Sequence, residues 1–267
     1  MLDVLLNFLL VALASLFIGT LSSLLGVGGG FLMVPMMIYF LNLSPKVATG
    51  TSLFVIFLSS IFTNFAYIKQ NRIDFLIVAI CSIFSIPASI YGSYLVFILS
   101  SVIVRKAFGA YLIFISIFMN LSNKLVKFRY KDPIEIRRNI NSEVGTFSYT
   151  LKTVLIAIGS IFAGLASALF GVGGGTIIVP ILSSLSYVPI HIATASSASV
   201  IFFTSLTGSI MRLHFNQIDL PTALSLLLGM LPGTQIGAKF SKKISSRSLS
   251  IIFSIFVFIL GTYMVIT

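Results

Sequence analysis

Apolar residues run along this chain in long blocks separated by short polar stretches, and the blocks fall into two sets of five. The first set lies near 4–25, 30–42, 48–68, 74–98 and 102–121, and the second near 152–170, 175–187, 191–211, 219–240 and 248–266. Most blocks reach the roughly 20 residues that a helix needs to cross ~30 Å of hydrocarbon. The second block of each set, 30–42 and 175–187, is too short to cross upright and reads as a half-helix. Strand-like alternation is missing, which argues against a β-barrel. The first block has no basic flank or small-residue cleavage site and reads as a retained span. The pattern predicts an all-α integral membrane protein of about 8–10 transmembrane segments.

The two sets are copies. A shift of 145 positions lays Gly26-Val27-Gly28-Gly29-Gly30 on Gly171-Val172-Gly173-Gly174-Gly175, and Val34-Pro35 on Val179-Pro180. It also lays Ala48-Thr49-Gly50-Thr51-Ser52 on Ala193-Thr194-Ala195-Ser196-Ser197, Ile73-Asp74 on Ile218-Asp219, and Pro87 on Pro232, all without a gap. Compositional bias does not align glycines, prolines and aspartates. Residues 1–121 therefore form one repeat, 152–267 the second, and the polar, basic stretch 122–151 a linker.

Charge chooses the topology. If all five segments of each repeat change sides and the linker is cytoplasmic, thirteen Lys/Arg face inward and four (Lys46, Arg105, Lys106, Arg212) face outward. If the short segments only re-enter, the split weakens to ten and seven. The bias of positive charge toward the cytoplasm favours the first arrangement, in which an odd number of crossings inverts the second repeat against the first. Of the 267 residues 57% are hydrophobic and 9% charged, which excludes a soluble domain, and a net charge of +11 held in short loops suits anionic lipid rather than nucleic acid. Cys81 is the single cysteine, and His191 and His214 lack acidic neighbours at ligand spacing, so neither a disulfide nor a metal is expected, and no cofactor.

The glycine pentapeptides break two helices at corresponding points, the pattern that marks substrate sites in transporters built from repeats. A helix start presents unpaired N–H groups and partial positive charge, and glycines let a ligand come close. Two such starts facing each other would hold a small anion without a buried arginine. Gly26, Gly28, Gly29, Gly30, Gly171, Gly173, Gly174 and Gly175 are the candidate substrate-binding residues, with Pro35 and Pro180, whose missing N–H frees a carbonyl. The hydroxyls of Thr49, Thr51, Ser52, Thr194, Ser196 and Ser197 can bond oxyanion oxygens, and Asn64 adds a donor. Arg212, at a span's end, is expected to snorkel to the surface. Asp74 and Asp219 begin segments and read as helix caps, on opposite membrane faces and so not as a catalytic dyad. No enzymatic constellation is visible. The competing reading is a membrane scaffold or accessory subunit whose glycines only pack helices.

The doubled glycine break followed by Val-Pro, at 17–35 and 162–180, resembles the sulfite exporter TauE/SafE family of membrane permeases over nearly the whole chain. The resemblance implies a bacterial-type, multi-pass inner-membrane transporter for small sulfur-containing or organic anions such as sulfite, sulfate or sulfonates. Its site would lie between the two breaks and work by alternating access. Ala195 stands where the first repeat has Gly50, a departure from equal halves. A small anionic solute and the bilayer are the partners expected; the oligomeric state is left open, a homo-oligomer included.

Overall fold

The computed structural model describes residues 2–25, 29–125, 132–142, 145–240 and 246–267; Gly26 and Gly28 of the candidate site lie outside them. Among the described residues ten helices follow the predicted blocks, all but the seventh within a few residues. They are α1 (Leu2–Leu25), α2 (Gly30–Tyr39), α3 (Pro45–Lys69), α4 (Phe75–Ile98) and α5 (Ser101–Leu125), then α6 (Thr153–Phe170), α7 (Gly175–Pro180), α8 (Ile190–His214), α9 (Leu220–Phe240) and α10 (Ser246–Ile266). Five of them, α3, α4, α5, α6 and α8, are long and apolar enough over their described residues to cross a membrane. The protein is an all-α membrane protein, and exposed side chains such as Phe62, Phe65, Phe114, Phe162 and Leu228 form its apolar surface.

Local chemistry sets the boundaries. Ser44 accepts the Val47 N–H at the start of α3 and Pro45 follows it, a cap with proline in the first turn. Asp74 caps α4 by accepting the Leu76 N–H at 2.9 Å, as the sequence suggests. Gly171 closes α6 in the left-handed conformation (φ 65°), and its N–H returns to the Ser167 carbonyl. Beyond Pro180 the chain continues as a π-helical turn, Ile181–Leu185, so the short helix of the second repeat is the more irregular one.

The 145-residue offset recurs in the backbone. Among the described residues, the four non-glycine residues with positive φ are Asn42 and Tyr187, and Asn71 and Asn216, two pairs at that offset. Helix α1 packs on α9 while its counterpart α6 packs on α4, and α3 packs on α8 and α5 on α10. A Cβ on Gly19 would meet the Met230 carbonyl oxygen at 2.8 Å, and one on the corresponding Gly164 would meet that of Ser85 at 2.3 Å. Helices α3 and α8 run antiparallel. Arg72, just past the end of α3, donates to the His191 carbonyl at the start of α8 (3.1 Å), and Arg212 near the end of α8 reaches Thr49 near the start of α3 (3.4 Å).

The linker is more ordered than a polar connection. Strands β1 (Glu135–Ser142) and β2 (Gly145–Lys152) form an antiparallel hairpin, with Arg138 opposite Tyr149. Ile136, Ile140 and Phe147 lean on a core of Ile73, Ile77, Tyr149 and Leu151. Asp74 pins the hairpin to α4. Its carboxylate accepts two bonds from Arg138 (3.0 and 3.1 Å) and one from Tyr149 (2.8 Å). The bond to Asp74 raises the Arg138 pKa, while burial, then the Asp74 contact, raise that of Tyr149. Before the hairpin, Asp132 accepts the N–H groups of Val154 and Leu155 and so caps α6 from outside it. The hairpin lies where α3 ends and α4 and α8 begin, which defines a hairpin end and an opposite end of the bundle.

Candidate functional site

The two glycine breaks meet. A Cβ on Gly30 would sit 2.1 Å from the Gly171 carbonyl oxygen, and one on Gly171 would sit 2.3 Å from the Thr49 carbonyl oxygen. Both are contacts of backbone on backbone that only glycine permits. Ser52 fixes the junction by donating to the Gly171 carbonyl at 2.7 Å. Gly173 (φ 80°) fits between Ile56 and Ile201, Gly174 (φ 76°) faces the Ala163 carbonyl, and Gly175 faces Ile201 and Ser197. Two N–H groups at each short-helix start are already bonded: those of Leu32 and Met33 to the Gly29 carbonyl, those of Ile177 and Ile178 to the Gly174 carbonyl. Pro35 is buried within α2, and Pro180 sits half-buried where α7 passes into the π-helical turn.

Beside this junction a cavity of about 140 Å³ runs from Gly29 toward the hairpin end. Hydroxyls dominate its polar lining: Ser59, Ser60, Thr63 and Tyr67 of α3, Thr194 and Ser197 of α8, and Thr234 of α9. Ile56, Ile201 and Met230 supply apolar wall, and no carboxylate among the described residues lines it. Half-buried Thr63, Tyr67 and Thr194 stand where it opens. Of the candidate residues, Gly29, Thr194 and Ser197 line this space, and Ser197 Oγ has no partner among the described residues.

The other candidates tie the repeats together. Thr51 Oγ1 accepts the Asp219 N–H and Ser196 Oγ accepts the Asp74 N–H, both at 2.9 Å and related by the repeat offset. Asn64 donates to the Ala198 carbonyl (3.2 Å) and accepts from Ser199 (2.5 Å), joining α3 to α8. Ser59, Ser60, Thr63 and Tyr67 escaped the sequence reading. Their spacing along α3 puts hydroxyls on one helical face, and that periodicity is the signal that finds them.

Arg212 corrects two expectations. It does not snorkel, and the protein does hold a buried arginine. Its side chain is 0% exposed and donates to the Ala168 carbonyl (2.6 Å), Gln217 Oε1 (2.5 Å) and Thr49 Oγ1 (3.4 Å). Helix packing overrides snorkelling here, because α3 and α6 close over the end of α8 and supply neutral acceptors. His191 is exposed at the hairpin end, with Nδ1 3.3 Å from the Arg72 guanidinium.

A multi-pass helical bundle with a hydroxyl-lined cavity between two related halves has the makings of a solute transporter, and comparison with known proteins bears this out. The family model for sulfite exporter TauE/SafE matches residues 11–264, and the chain belongs to that family. It is 31% identical over 268 residues to a probable membrane transporter protein of Bacillus subtilis, covering 97% of each chain. A probable membrane transporter protein of Methanocaldococcus jannaschii is 30% identical, covering 96% of this chain and 95% of its own. A sulfite exporter TauE/SafE family protein of Arabidopsis thaliana is 26% identical over 131 residues, 49% of this chain and 30% of its own. No solved structure matches. The protein is a membrane transporter, not an enzyme.

Proposed function

We propose that the protein is a secondary transporter of small anions, sulfur oxyanions or organic sulfonates among them, moved by alternating access between the two repeats. The observation that carries this reading is the cavity, lined by the hydroxyls of Ser59, Ser60, Thr63 and Tyr67 of α3, Thr194 and Ser197 of α8 and Thr234 of α9, with that of Ser197 unbonded among the described residues and no carboxylate among them to repel an anion. Hydroxyls bond oxyanion oxygens without the desolvation cost of fixed charge. The antiparallel run of α3 and α8 supports an inverted relation between repeats, and the cavity's extent toward the hairpin end supports a state open on that side. Gly29, Thr194 and Ser197 contact the solute in this reading. Gly30, Gly171, Gly173, Gly174, Gly175, Pro35, Pro180, Ser52 and Asn64 shape the junction that seats it. The sulfur preference rests on the family name that matches.

The test is a flux screen on purified protein in vesicles, with sulfite, sulfate, a sulfonate and chloride, with and without a pH gradient. Saturable movement of at least one oxyanion is expected. Preference for cations or neutral solutes, or no flux at all, overturns the reading.

A further inference from the structure

The cavity has a counterpart that is shut. The 145-residue offset carries Tyr67 to Arg212, Thr194 to Thr49, Ser59 to Thr204, Ser60 to Ser205 and Thr234 to Ser89. All five counterparts are buried. In the open half, Thr234 donates to its own helix at the Leu231 carbonyl (2.9 Å), and the Ser59 carbonyl takes the Thr63 hydroxyl (3.2 Å). In the shut half, Ser89 of α4 reaches across to the Thr204 carbonyl of α8 at 2.8 Å. One bond closes an interface that its counterpart leaves open.

The shut half is poorly suited to being only a seal. Arg212 has no carboxylate in ion-pair range among the described residues, and its Nε has no partner among them. The buried hydroxyls of Ser85, Ser93 and Ser209 lack partners there too. Apolar side chains would close this space at lower cost than a guanidinium held by neutral acceptors alone and unbonded hydroxyls. What such groups can do is hold an oxyanion, because a guanidinium presents paired N–H donors that fit two anionic oxygens.

We propose that the sealed half around Arg212 is a second oxyanion-binding vestibule, reached from the end opposite the hairpin when the two halves exchange conformations. This rests on the transport reading above and adds the residue that recognises charge. In the exchanged state the Ser89–Thr204 bond breaks and Arg212 faces the new opening, as Tyr67 faces the present one. The bond that Thr234 makes within its own helix is traded for one to the Ser59 carbonyl, which closes the hairpin end.

Single-cysteine proteins in a Cys81→Ala background test this. Cys81 is buried beside Ile156, Gly159 and Ser160 of α6. Ser89→Cys and Thr234→Cys are labelled in vesicles with a membrane-impermeant cationic thiosulfonate applied from either face during sulfate or sulfite exchange. Thr234→Cys is expected to react from the hairpin side, and Ser89→Cys from the opposite side alone. Anion on that side should slow the Ser89→Cys reaction, and Arg212→Gln should abolish the protection while Arg212→Lys keeps part of it. Arg212→Gln should also weaken apparent affinity about tenfold from the far side, and much less from the hairpin side. Anion flux with Ser89→Cys inert from both faces, or labelled from the hairpin side, overturns the vestibule. Protection that survives Arg212→Gln overturns the role of the arginine. Labelling as expected without flux of any anion upholds the vestibule and overturns the transport reading.

Discussion

Ser52 donates its hydroxyl to the Gly171 carbonyl at 2.7 Å, so a helix of one repeat holds the glycine break of the other. Removing it leaves a buried carbonyl unsatisfied. Ser52→Ala is expected to cost about 1–3 kcal/mol, read as a lowered unfolding midpoint in detergent. Gly171→Ala combines a positive φ with a Cβ aimed at the Thr49 carbonyl, and is expected to leave no folded protein by size-exclusion chromatography.

Thr51→Val and Ser196→Ala remove equivalent bonds at opposite ends of the bundle. Each is expected to cost about 1 kcal/mol, and the double variant to lose the sum within roughly 0.5 kcal/mol, because the sites share no partner. A double-mutant cycle on chemical unfolding checks this. Strong non-additivity would mean that the two ends are coupled through α3 and α8.

Within the cavity, Thr63→Val keeps shape and removes the hydroxyl that now donates to the Ser59 carbonyl and could turn to a bound anion. The expected result is about a tenfold rise in the half-saturating anion concentration with folding intact, since one hydrogen bond to a charged group is worth roughly 1.5–3 kcal/mol. Gly29→Ala should also fold, because the nearest atom to its Cβ is the flexible end of Met230, while Gly29→Leu fills the cavity and stops flux.

The hairpin anchor carries a pH signature. The Tyr149 pKa is raised above its ordinary value of 10.0 in the folded protein, so the neutral phenol contributes stability that is whole below that value and is lost as pH rises above it. Unfolding midpoints are expected to fall above about pH 10, and Tyr149→Phe to flatten part of that slope. An unchanged slope in Tyr149→Phe would show that the phenol is not responsible.

Block lengths, the doubled motif and the Asp74 cap were legible in the sequence because each depends on neighbours along the chain. What stayed hidden depends on distant partners. The hairpin reads as a basic linker, since Arg137 and Arg138 interrupt its isoleucines, and its anchor is Asp74, in the preceding repeat. Arg212 reads as a surface residue, because Ala168 and Thr49, which accept its bonds, belong to other helices. The face of hydroxyls on α3 was readable from spacing alone, yet serine and threonine also bond their own helix, as Ser60 does at the Phe57 carbonyl.

Arg212 and Gln217 correspond by the offset to Tyr67 and Arg72, so the arginine has changed place within the pair from one repeat to the other. Arg72 lies over the Tyr67 ring and bonds the exposed start of α8, whereas Arg212 is wholly enclosed. Identical halves would make the two closures mirror images of equal energy, each occupied half the time at rest. This exchange lifts that degeneracy. Every 1.4 kcal/mol between the closures shifts their resting ratio about tenfold, so under the alternating access proposed above the duplicated chain would carry a built-in bias toward waiting on one side of the membrane.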